Sequence, residues 1–419
     1  MKHRLIVFSL DAIASTDSYI FENLPGFRFL IENGAYVKKV KGVFPSLTYP
    51  SHASIISGRM PSSTGIVNNL HLQPSRKSMD WYWYEKDIEG DTLFRAARRK
   101  NLKTSAVLWP VSARGLIDYN IAEIFPNRKW QNQIMVSLMN SSLLPLLKIN
   151  KEYSHLLDGL NQPQLDNFVE AANTFILNKY KPDLSFTHFI AVDDKKHHYG
   201  CSSNEVAQAI KTYDKRIQNM LEIIKKDGIK TTFVVLSDHA QLNISKGIRL
   251  NNYFDKNGYF KKYKDGRIKS YRAIMHEAGG ACYIYTDGLK QNEIDKIKKD
   301  LEDIGKKYDI FDKVYDKKEI EDFGADPCAT FLISTKEGYY FDQSIGEDFF
   351  VEKPKYKATH GFDPNIKDFS AVLFMYGEGI KKGASLENSE LINIAPTISK
   401  IMDLGLRGAE AKPIREILI

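Results

Sequence analysis

Short apolar runs rich in β-branched residues alternate with longer helical stretches along this chain, and this alternation constrains its fold more than any other feature. Such runs are typical of strands that are buried on both faces by flanking helices. The sequence therefore predicts an α/β fold with a mostly parallel sheet sandwiched by helices. The predicted strands cover residues 5–10, 104–109, 184–192, 231–237, 281–286 and 370–376. The predicted helices cover residues 94–100, 165–179, 203–226, 291–304 and 394–403.

The domain organisation follows from length and from the absence of linkers. The chain has 419 residues, of which 43% are hydrophobic, so it can bury a large core. No repeat and no Gly/Ser- or Pro-rich linker divides it, which favours a single catalytic domain over residues 1–419. Residues 115–159 and 244–358 fit the alternation poorly, and we expect them to form lid or cap insertions. The apolar stretch 134–147 is interrupted by Asn140 and Pro145, so it predicts a helical insertion and no transmembrane segment.

Charge and cysteine content limit the partners and the compartment. The net charge of +7 comes from 59 basic against 52 acidic residues, and the lysines are spread along the chain. This indicates mild attraction for anionic small molecules and gives no nucleic-acid-binding signature. The three cysteines form no CxxC pair, which favours a reducing compartment. The first apolar run is too short for a signal peptide. We therefore expect a cytoplasmic protein, and no feature predicts an oligomeric state.

Metal-type side chains follow three of the predicted strands. Asp11 ends the first, Asp193 follows the run 186–192, and Asp238 and His239 follow the run 233–237. In open α/β sheets, ligands bind outside the carboxyl ends of the strands. A single Asp in such a place often caps a helix. Three together, two of them with a histidine nearby, predict a metal site.

The polar segment after residue 192 offers two equivalent pairs of ligands. Asp193 and His197 are four residues apart, and so are Asp194 and His198. In a helical turn, either pair would share one face. Local geometry does not choose between them.

Residues 44–58 carry the candidate nucleophile. Two prolines bracket a turn, and Pro50 and Ser51 predict that a helix begins at about Ser51, with Ser51 as its cap. A hydroxyl group just before a helix N-terminus lies where backbone N–H groups and the helix dipole attract phosphate. Thr48 is such a hydroxyl. His360, in an extended polar stretch, is the last isolated histidine and completes the pattern.

The ordered set of these residues resembles the nucleotide pyrophosphatase/phosphodiesterase family of the alkaline phosphatase superfamily. The resemblance runs from Asp11 to His360. It includes Thr48-Tyr49-Pro50-Ser51-His52, which is similar to the family's Thr-aromatic-Pro-Asn-His, and Gly65-Ile66 followed by Asn69. It implies that one metal is held by Asp11, Asp238 and His239. It implies that a second is held by Asp193, His197 and His360, because the family's glycine three residues after the histidine matches Gly200. Thr48 would be the nucleophile that bridges the metals, and Asn69 would contact the substrate phosphate.

The donor set and the resemblance together imply the chemistry. Mixed carboxylate and imidazole ligands suit two divalent ions, most simply Zn²⁺, with Mn²⁺ as an alternative. Thr48 would attack the phosphorus of a phosphodiester or nucleotide and form a phospho-threonine intermediate. Tyr49 and the aromatic residues 81–84 could contact the substrate, although packing explains the latter equally well.

Departures from the family pattern leave other substrates open. Ala240-Gln241 stands where Gly-Met is usual, and Val192 stands where a proline often precedes the aspartate. A phosphonoacetate-type hydrolase and a phosphomonoesterase are the alternatives within the superfamily. A non-catalytic binding module is the alternative outside it, and the intact ligand set argues against that. Asn69, a neutral donor, favours diesters over monoesters, whereas Arg59 is expected to lie at the far end of the helix that follows Thr48.

Overall fold

The computed structural model describes residues 3–419, which form α-helices and β-strands that we number separately in chain order. The strands are β1 His3–Leu10, β2 Ala35–Lys41, β3 Thr104–Val107, β4 Tyr119–Ile121, β5 Leu184–Phe189, β6 Lys230–Leu236, β7 Leu242–Ile248, β8 Phe260–Lys262, β9 Ile268–Tyr271, β10 Ala273–Ala278, β11 Ala281–Thr286, β12 Phe311–Tyr315, β13 Phe331–Thr335, β14 Gly338–Phe341, β15 Phe350–Val351, β16 Ala358–Thr359, β17 Ala371–Gly377 and β18 Ala384–Glu390. The helices are α1 Ser18–Phe21, α2 Pro25–Asn33, α3 Thr48–Ser57, α4 Pro61–Thr64, α5 Leu93–Arg99, α6 Gln133–Asn140, α7 Leu143–Tyr153, α8 Gln164–Tyr180, α9 Ala191–Tyr199, α10 Asn204–Asp227, α11 Asn251–Lys256, α12 Gln291–Tyr308, α13 Lys317–Asp322 and α14 Ile394–Ile401.

A central eight-stranded sheet organises the molecule. Its strand order is β18-β2-β17-β6-β1-β5-β3-β4. Every neighbouring pair is parallel except the two that involve β17, which runs antiparallel to both β2 and β6. The prediction of an α/β fold with a mostly parallel sheet is confirmed.

Burial on both faces of this sheet explains why its inner strands are continuously apolar. Leu5 and Val7 of β1 belong to the core on one face, and Ile6 and Phe8 belong to the core on the other. All four side chains are at most 1% exposed. A strand covered by helices on both sides needs apolar residues at every position, because successive side chains point to opposite faces.

Several predicted boundaries differ from the observed ones. The strand predicted over 184–192 ends at Phe189, because Ala191 already begins α9 and the chain makes its helical turn before reaching Asp193. The strand over 281–286 is present, but it belongs to a second, antiparallel sheet with the order β10-β11-β13-β12. The five predicted helices correspond to α5, α8, α10, α12 and α14.

The two segments predicted as insertions have different structures. Segment 115–159 contributes β4 to the edge of the central sheet and then forms α6 and α7. Segment 244–358 contains the second sheet and α12. This sheet contacts the segments that carry the candidate site, since Glu277 O accepts from Asn68 and His360 O accepts from the Gly280 N–H. The lid role of these segments stays a prediction.

Two further observations bear on the predictions from composition. Cys201, Cys282 and Cys328 are all free thiols. Over residues 3–419, no helix combines the length and the apolar character needed to cross a bilayer. The cytoplasmic location stays a prediction.

Candidate active site

The candidate ligands meet at the carboxyl ends of three neighbouring strands. β6, β1 and β5 lie side by side and parallel, so the residues that follow them emerge at one edge of the sheet. Asp11 directly follows β1, Asp238 lies two residues beyond β6, and Asp193 lies in the first turn of α9 beyond β5. The strand order thus brings three residues that are far apart in sequence into one cluster.

The first predicted group of ligands, Asp11, Asp238 and His239, is brought together below the surface. His239 Nε2 lies 3.2 Å from Asp238 Oδ2 and 3.5 Å from Asp11 Oδ1. None of the three residues is more than 2% exposed. Asp238 Oδ1 accepts the backbone N–H groups of Ala12 and His239, which fixes the carboxylate and leaves Oδ2 facing the cluster.

The second predicted group, Asp193, His197 and His360, adjoins the first. One ligand atom from each of these residues lies within 4.8 Å of the others, and the same holds for Asp11, Asp193 and His239. His197 Nε2 is 3.4 Å from Asp193 Oδ2, across one turn of α9. The two groups are therefore continuous through Asp193.

Thr48 faces the first group from the start of α3. Its Oγ1 lies 3.1 Å from His239 Nε2. The prediction that the helix begins at about Ser51 is wrong, because α3 begins at Thr48 and the Ser51 N–H already donates to Leu47 O. Pro50 is tolerated there because the first-turn N–H groups have no partner within a helix. The hydroxyl of Thr48 is consequently at the positive end of the helix dipole.

Asn69 and Tyr49 adjoin Thr48 in different ways. The Tyr49 N–H donates to Asn69 Oδ1 at 2.9 Å, which leaves the amide NH₂ of Asn69 as its remaining donor. The Tyr49 ring is fully buried against Trp81, and its hydroxyl donates to Glu123 at 3.1 Å. Stacking of Tyr49 on a substrate stays a prediction, and the structure gives the ring a packing role.

Electrostatics at the site favour a bound cation. Burial and the nearby Asp193 charge raise the pKa of Asp11 to about 7. Burial and the Asp11 charge hold the pKa of Asp238 well above its usual range. The Asp193 charge thus opposes ionisation of Asp11, and the Asp11 charge opposes ionisation of Asp238. A divalent ion among these carboxylates would relieve that repulsion.

The hydrogen-bonding pattern also fits a metal. Asp11 Oδ1, Asp238 Oδ2 and His360 Nδ1 are buried without a hydrogen-bond partner, which is unusual for polar atoms in a folded protein. His197 Nδ1 donates to Ala358 O at 2.8 Å, so the lone pair of Nε2 faces Asp193. A histidine whose second nitrogen donates to a carbonyl is the usual arrangement of a metal ligand. Burial also lowers the pKa of His360 to about 4, which keeps its ring neutral.

Two buried histidines lie beneath the first group. Sequence reasoning missed His188 and included His52 only as part of the 48–52 motif, without a role. His188 Nε2 donates to Asp11 Oδ2 at 3.0 Å, and His52 Nδ1 donates to Thr48 O at 2.8 Å. Burial alone would lower the pKa of His188, but the hydrogen bonds and charges of Asp11 and Glu123 hold its pKa well above its usual range. His188 lies inside an otherwise buried strand. A histidine in such a strand was the sequence signal that could have identified it as a supporting residue.

Two more supporting residues come from the segments that follow the strands. Gln241 donates its side-chain amide to the Asp193 carboxylate. Lys196 is buried and donates to Ala12 O at 2.9 Å and to Asp17 at 2.6 Å. Lys196 therefore ties α9 to the segment after β1. Within residues 3–419, the ion pairs of Asp11, Asp193 and Asp238 are all with histidines.

The structure distinguishes the two ligand pairs that local geometry left open. The His198 side chain is 47% exposed, and its Nδ1 donates to Asp194 O, whereas the His197 side chain is 16% exposed and belongs to the cluster.

We expect His197→Ala to weaken metal binding more than about 100-fold, because even the outer partners of ligands contribute 10- to 100-fold. His198→Ala is the matched control and should retain its metal. Elemental analysis after dialysis measures both, and metal loss in His198→Ala alone would assign the ligand to the other pair.

Comparison with known proteins identifies the family. Residues 5–363 match the sequence model of the type I phosphodiesterase / nucleotide pyrophosphatase family. The chain belongs to this family, which is a family of hydrolases. It is 20% identical to human ectonucleotide pyrophosphatase/phosphodiesterase family member 5, over 91% of this chain and 70% of that protein. It is 24% identical to human family member 1, over 95% of this chain and 40% of that protein, and 21% identical to a venom phosphodiesterase of Macrovipera lebetinus, over 95% and 43%. The chain thus spans less than half of the latter two relatives.

Solved structures of the family share the fold. Murine family member 5, solved as an inactive threonine-to-alanine variant in complex with AMP, superposes with a TM-score of 0.70 at 18% identity, over all of both chains. Human family member 5 gives a TM-score of 0.69, over 99% of both chains. These family members have the alkaline-phosphatase-like fold, and this chain has it as well.

Proposed function

We propose that this phosphodiesterase-family chain hydrolyses phosphodiesters through a phospho-threonine on Thr48. The observation that carries the proposal is the convergence of Thr48 with the two groups of carboxylate and imidazole ligands at one edge of the sheet. The murine relative offers independent support, because a threonine-to-alanine variant of it is inactive and was solved with AMP. A nucleotide is therefore one substrate class to test.

Two divalent ions would be held by the residues described above. Asp11, Asp238 and His239 would hold one ion, and Asp193, His197 and His360 would hold the other. The donor set of carboxylates and imidazoles without a thiolate fits Zn²⁺ best and also accommodates Mn²⁺. Bound ions of this kind lower the pKa of a coordinated hydroxyl and neutralise phosphate oxygens.

The protein's own groups position the reaction. Thr48 Oγ1 would lose its proton and attack the phosphorus in line, while the P–O bond to the opposite ester oxygen breaks and that group leaves as an alcohol. Water would then attack the phosphorus, the bond to Thr48 Oγ1 would break, and a phosphomonoester would leave as the Thr48 hydroxyl is restored. The N-terminus of α3 orients positive partial charge toward the phosphate, and the Asn69 NH₂ offers a directional donor to a non-bridging oxygen.

A preference for diesters over monoesters follows from the neutrality of Asn69. A monoester carries nearly two negative charges and calls for an additional cation near the nucleophile. Arg59 does not supply it. It lies beyond the C-terminal end of α3, roughly 14 Å along the helix axis from Thr48 to Ser57, and it contacts Glu89 O and Glu410.

We expect Asn69→Ala to lower turnover of bis-nitrophenyl phosphate by on the order of 100-fold, comparable to the loss of one oxyanion donor. Arg59→Ala, the control, should change it much less. Steady-state kinetics on this diester, nitrophenyl phosphate, a nitrophenyl nucleotide diester, a choline phosphodiester and phosphonoacetate measure both effects. Faster hydrolysis of nitrophenyl phosphate together with an essential Arg59 would favour the phosphomonoesterase. Selective hydrolysis of phosphonoacetate would favour the phosphonate hydrolase.

A further inference from the structure

A buried lysine connects the two groups of candidate metal ligands. Lys196 lies on α9 between Asp193 and His197, and it is 1% exposed. Its Nζ donates to Ala12 O at 2.9 Å, and Ala12 directly follows Asp11. Lysine is almost never fully buried without a specific partner, because burial removes the ammonium group from water. The contact therefore joins the helix of the second group to the turn that carries Asp11 of the first group.

The turn after β1 needs such a contact because its backbone is strained. Ala12 has a φ of 60°, in the left-handed region that is unfavourable for alanine. Its N–H donates to Asp238 Oδ1 at 3.2 Å, and its carbonyl accepts from Lys196. A strained residue persists only where the surrounding structure holds it. Asp238 and Lys196 thus hold Ala12 from both sides, and the position of the adjacent Asp11 depends on them.

Asp17 completes this support and neutralises the charge of the lysine. Lys196 Nζ donates to Asp17 Oδ2 at 2.6 Å, and the same oxygen accepts the Ala14 N–H at 2.8 Å. Asp17 is 3% exposed, so both members of the ion pair are buried. Burial of two charges is costly, and apolar residues of similar volume often give equal stability. Stability of the fold therefore does not explain the pair, whereas a fixed position of the turn relative to α9 does.

The neighbouring lysine on α9 has different surroundings. The side chain of Lys195 is 23% exposed, and its Nζ pairs with Asp194 at 3.0 Å and lies over the Tyr199 ring at 5.9 Å. Both of these partners belong to α9. Lys195 is therefore a matched control, since it is a lysine of the same helix whose contacts named here stay within that helix.

We propose that Lys196 is a positioning residue that, together with Asp17, sets the separation between the two groups of ligands. The inference rests on the two-metal arrangement of the proposed function, and it adds the contact that fixes one group relative to the other. Lys196 acts through the Ala12 carbonyl and is not itself a ligand. Two ions act on one phosphate only when both reach it, and a misplacement of about 1 Å can cost on the order of 100-fold in rate.

Metal binding by the double variant Lys196→Met/Asp17→Asn tests this role. The variant removes both charges together, so neither is left buried and unpaired, and asparagine keeps an acceptor for the Ala14 N–H. We expect the affinity for one of the two ions to fall about 10- to 100-fold, as it does when the outer partners of metal ligands are removed. Lys195→Met should bind both ions like the wild type. Calorimetric titration of metal-free protein with Zn²⁺ measures both variants.

The kinetic effect of the double variant should appear mainly in kcat. We expect kcat for bis-nitrophenyl phosphate to fall on the order of 100-fold, because the ions would be misplaced relative to Thr48, while KM changes much less. Lys195→Met should leave both constants unchanged. Steady-state kinetics at saturating Zn²⁺ measures them.

Ala12→Gly tests whether the strained turn transmits the effect. Glycine adopts a positive φ as readily as a negative one, so the turn would keep its shape without the lysine. Adding Ala12→Gly to the double variant should recover about 5- to 30-fold of the lost affinity, the factor that corresponds to the cost of a left-handed conformation for other residues. In the wild-type background the same change should have little effect. Absence of any recovery would overturn the proposed route through the turn.

The outcomes separate this inference from the proposed function. If the wild type binds two ions but hydrolyses no diester, and the double variant loses affinity for one ion, the positioning role stands and the proposed function fails. If the wild type hydrolyses the diester and the double variant binds both ions with wild-type affinity, the positioning role is overturned. A lower metal-free thermal midpoint without loss of affinity would also overturn it, because Lys196 would then only stabilise the fold. If the double variant does not fold, Lys196→Gln, with a shorter side chain, takes its place with the same expected loss of affinity.

Discussion

Thr48→Ala is expected to lower kcat for diester hydrolysis by on the order of 10⁴- to 10⁶-fold, the range seen when a catalytic nucleophile is removed. The hydroxyl of Thr48 reaches the ligand cluster, and its Oγ1 lies 3.1 Å from His239 Nε2. Replacement by alanine removes the attacking oxygen and leaves the six other ligands in place. Metal content should therefore stay near that of the wild type. Steady-state kinetics and elemental analysis of the same preparation measure the two quantities.

A trapping experiment distinguishes covalent catalysis from simple positioning. Wild-type enzyme quenched in acid during diester turnover should carry, on the peptide that contains Thr48, a phosphoryl group that keeps its remaining ester substituent. Thr48→Ala should carry no such group. Thr48→Ser keeps a hydroxyl and serves as the control, with a much smaller loss of kcat. A loss of less than about tenfold in Thr48→Ala would exclude Thr48 as the nucleophile, because mutation of a true nucleophile costs far more.

Removal of the metals is expected to abolish activity, and Zn²⁺ or Mn²⁺ should restore it. Purified protein should hold close to two divalent ions per chain. Metal binding should also raise the thermal midpoint, because a ligand present at about 1,000 times its dissociation constant stabilises the native state by about 4 kcal/mol. Elemental analysis, activity after chelation and thermal unfolding measure these effects. Full activity of metal-free protein would contradict the two-metal proposal.

Repulsion between buried carboxylates is the expected reason why bound metal stabilises the native state. Asp238→Asn tests this repulsion in the metal-free protein. Asp11 has a folded-state pKa of about 7, and that of Asp238 is well above its usual range. A carboxyl whose pKa is raised on folding contributes stability below its unfolded pKa and loses it as pH rises through the folded pKa. The variant removes the Asp11–Asp238 repulsion, so its advantage in metal-free thermal midpoint over the wild type should grow from about pH 5 to about pH 8. It should also lose one metal.

Asp166 provides the matched control for this variant. It is also fully buried, but its carboxylate accepts the backbone N–H groups of Ile190 and Ala191 and the side-chain amide of Gln162. Asp166→Asn disrupts those hydrogen bonds without relieving a repulsion, so it should lower the midpoint. A lower midpoint in metal-free Asp238→Asn as well would show that Asp238 stabilises the fold and that its repulsion with Asp11 is unimportant.

The sequence by itself determined the fold class and most of the candidate site. Continuous apolar runs such as β1 and β6 can be stable only where helices cover both faces of a sheet, so the pattern predicted the α/β architecture. Asp11 and Asp238 closely follow such runs, so the strand before each of them fixes its position at the edge of the sheet. Periodicity alone therefore located them at the ligand-binding edge.

Only the tertiary structure decided which polar residues share that edge and what supports them. Packing between segments far apart in sequence places the start of α3 at Thr48 and brings His188, Glu123 and Gln241 into contact with the site. It also leaves the side chain of His197 much less exposed than that of His198. Local propensity reports on neighbours within one turn or strand, whereas burial and through-space charge depend on the complete fold.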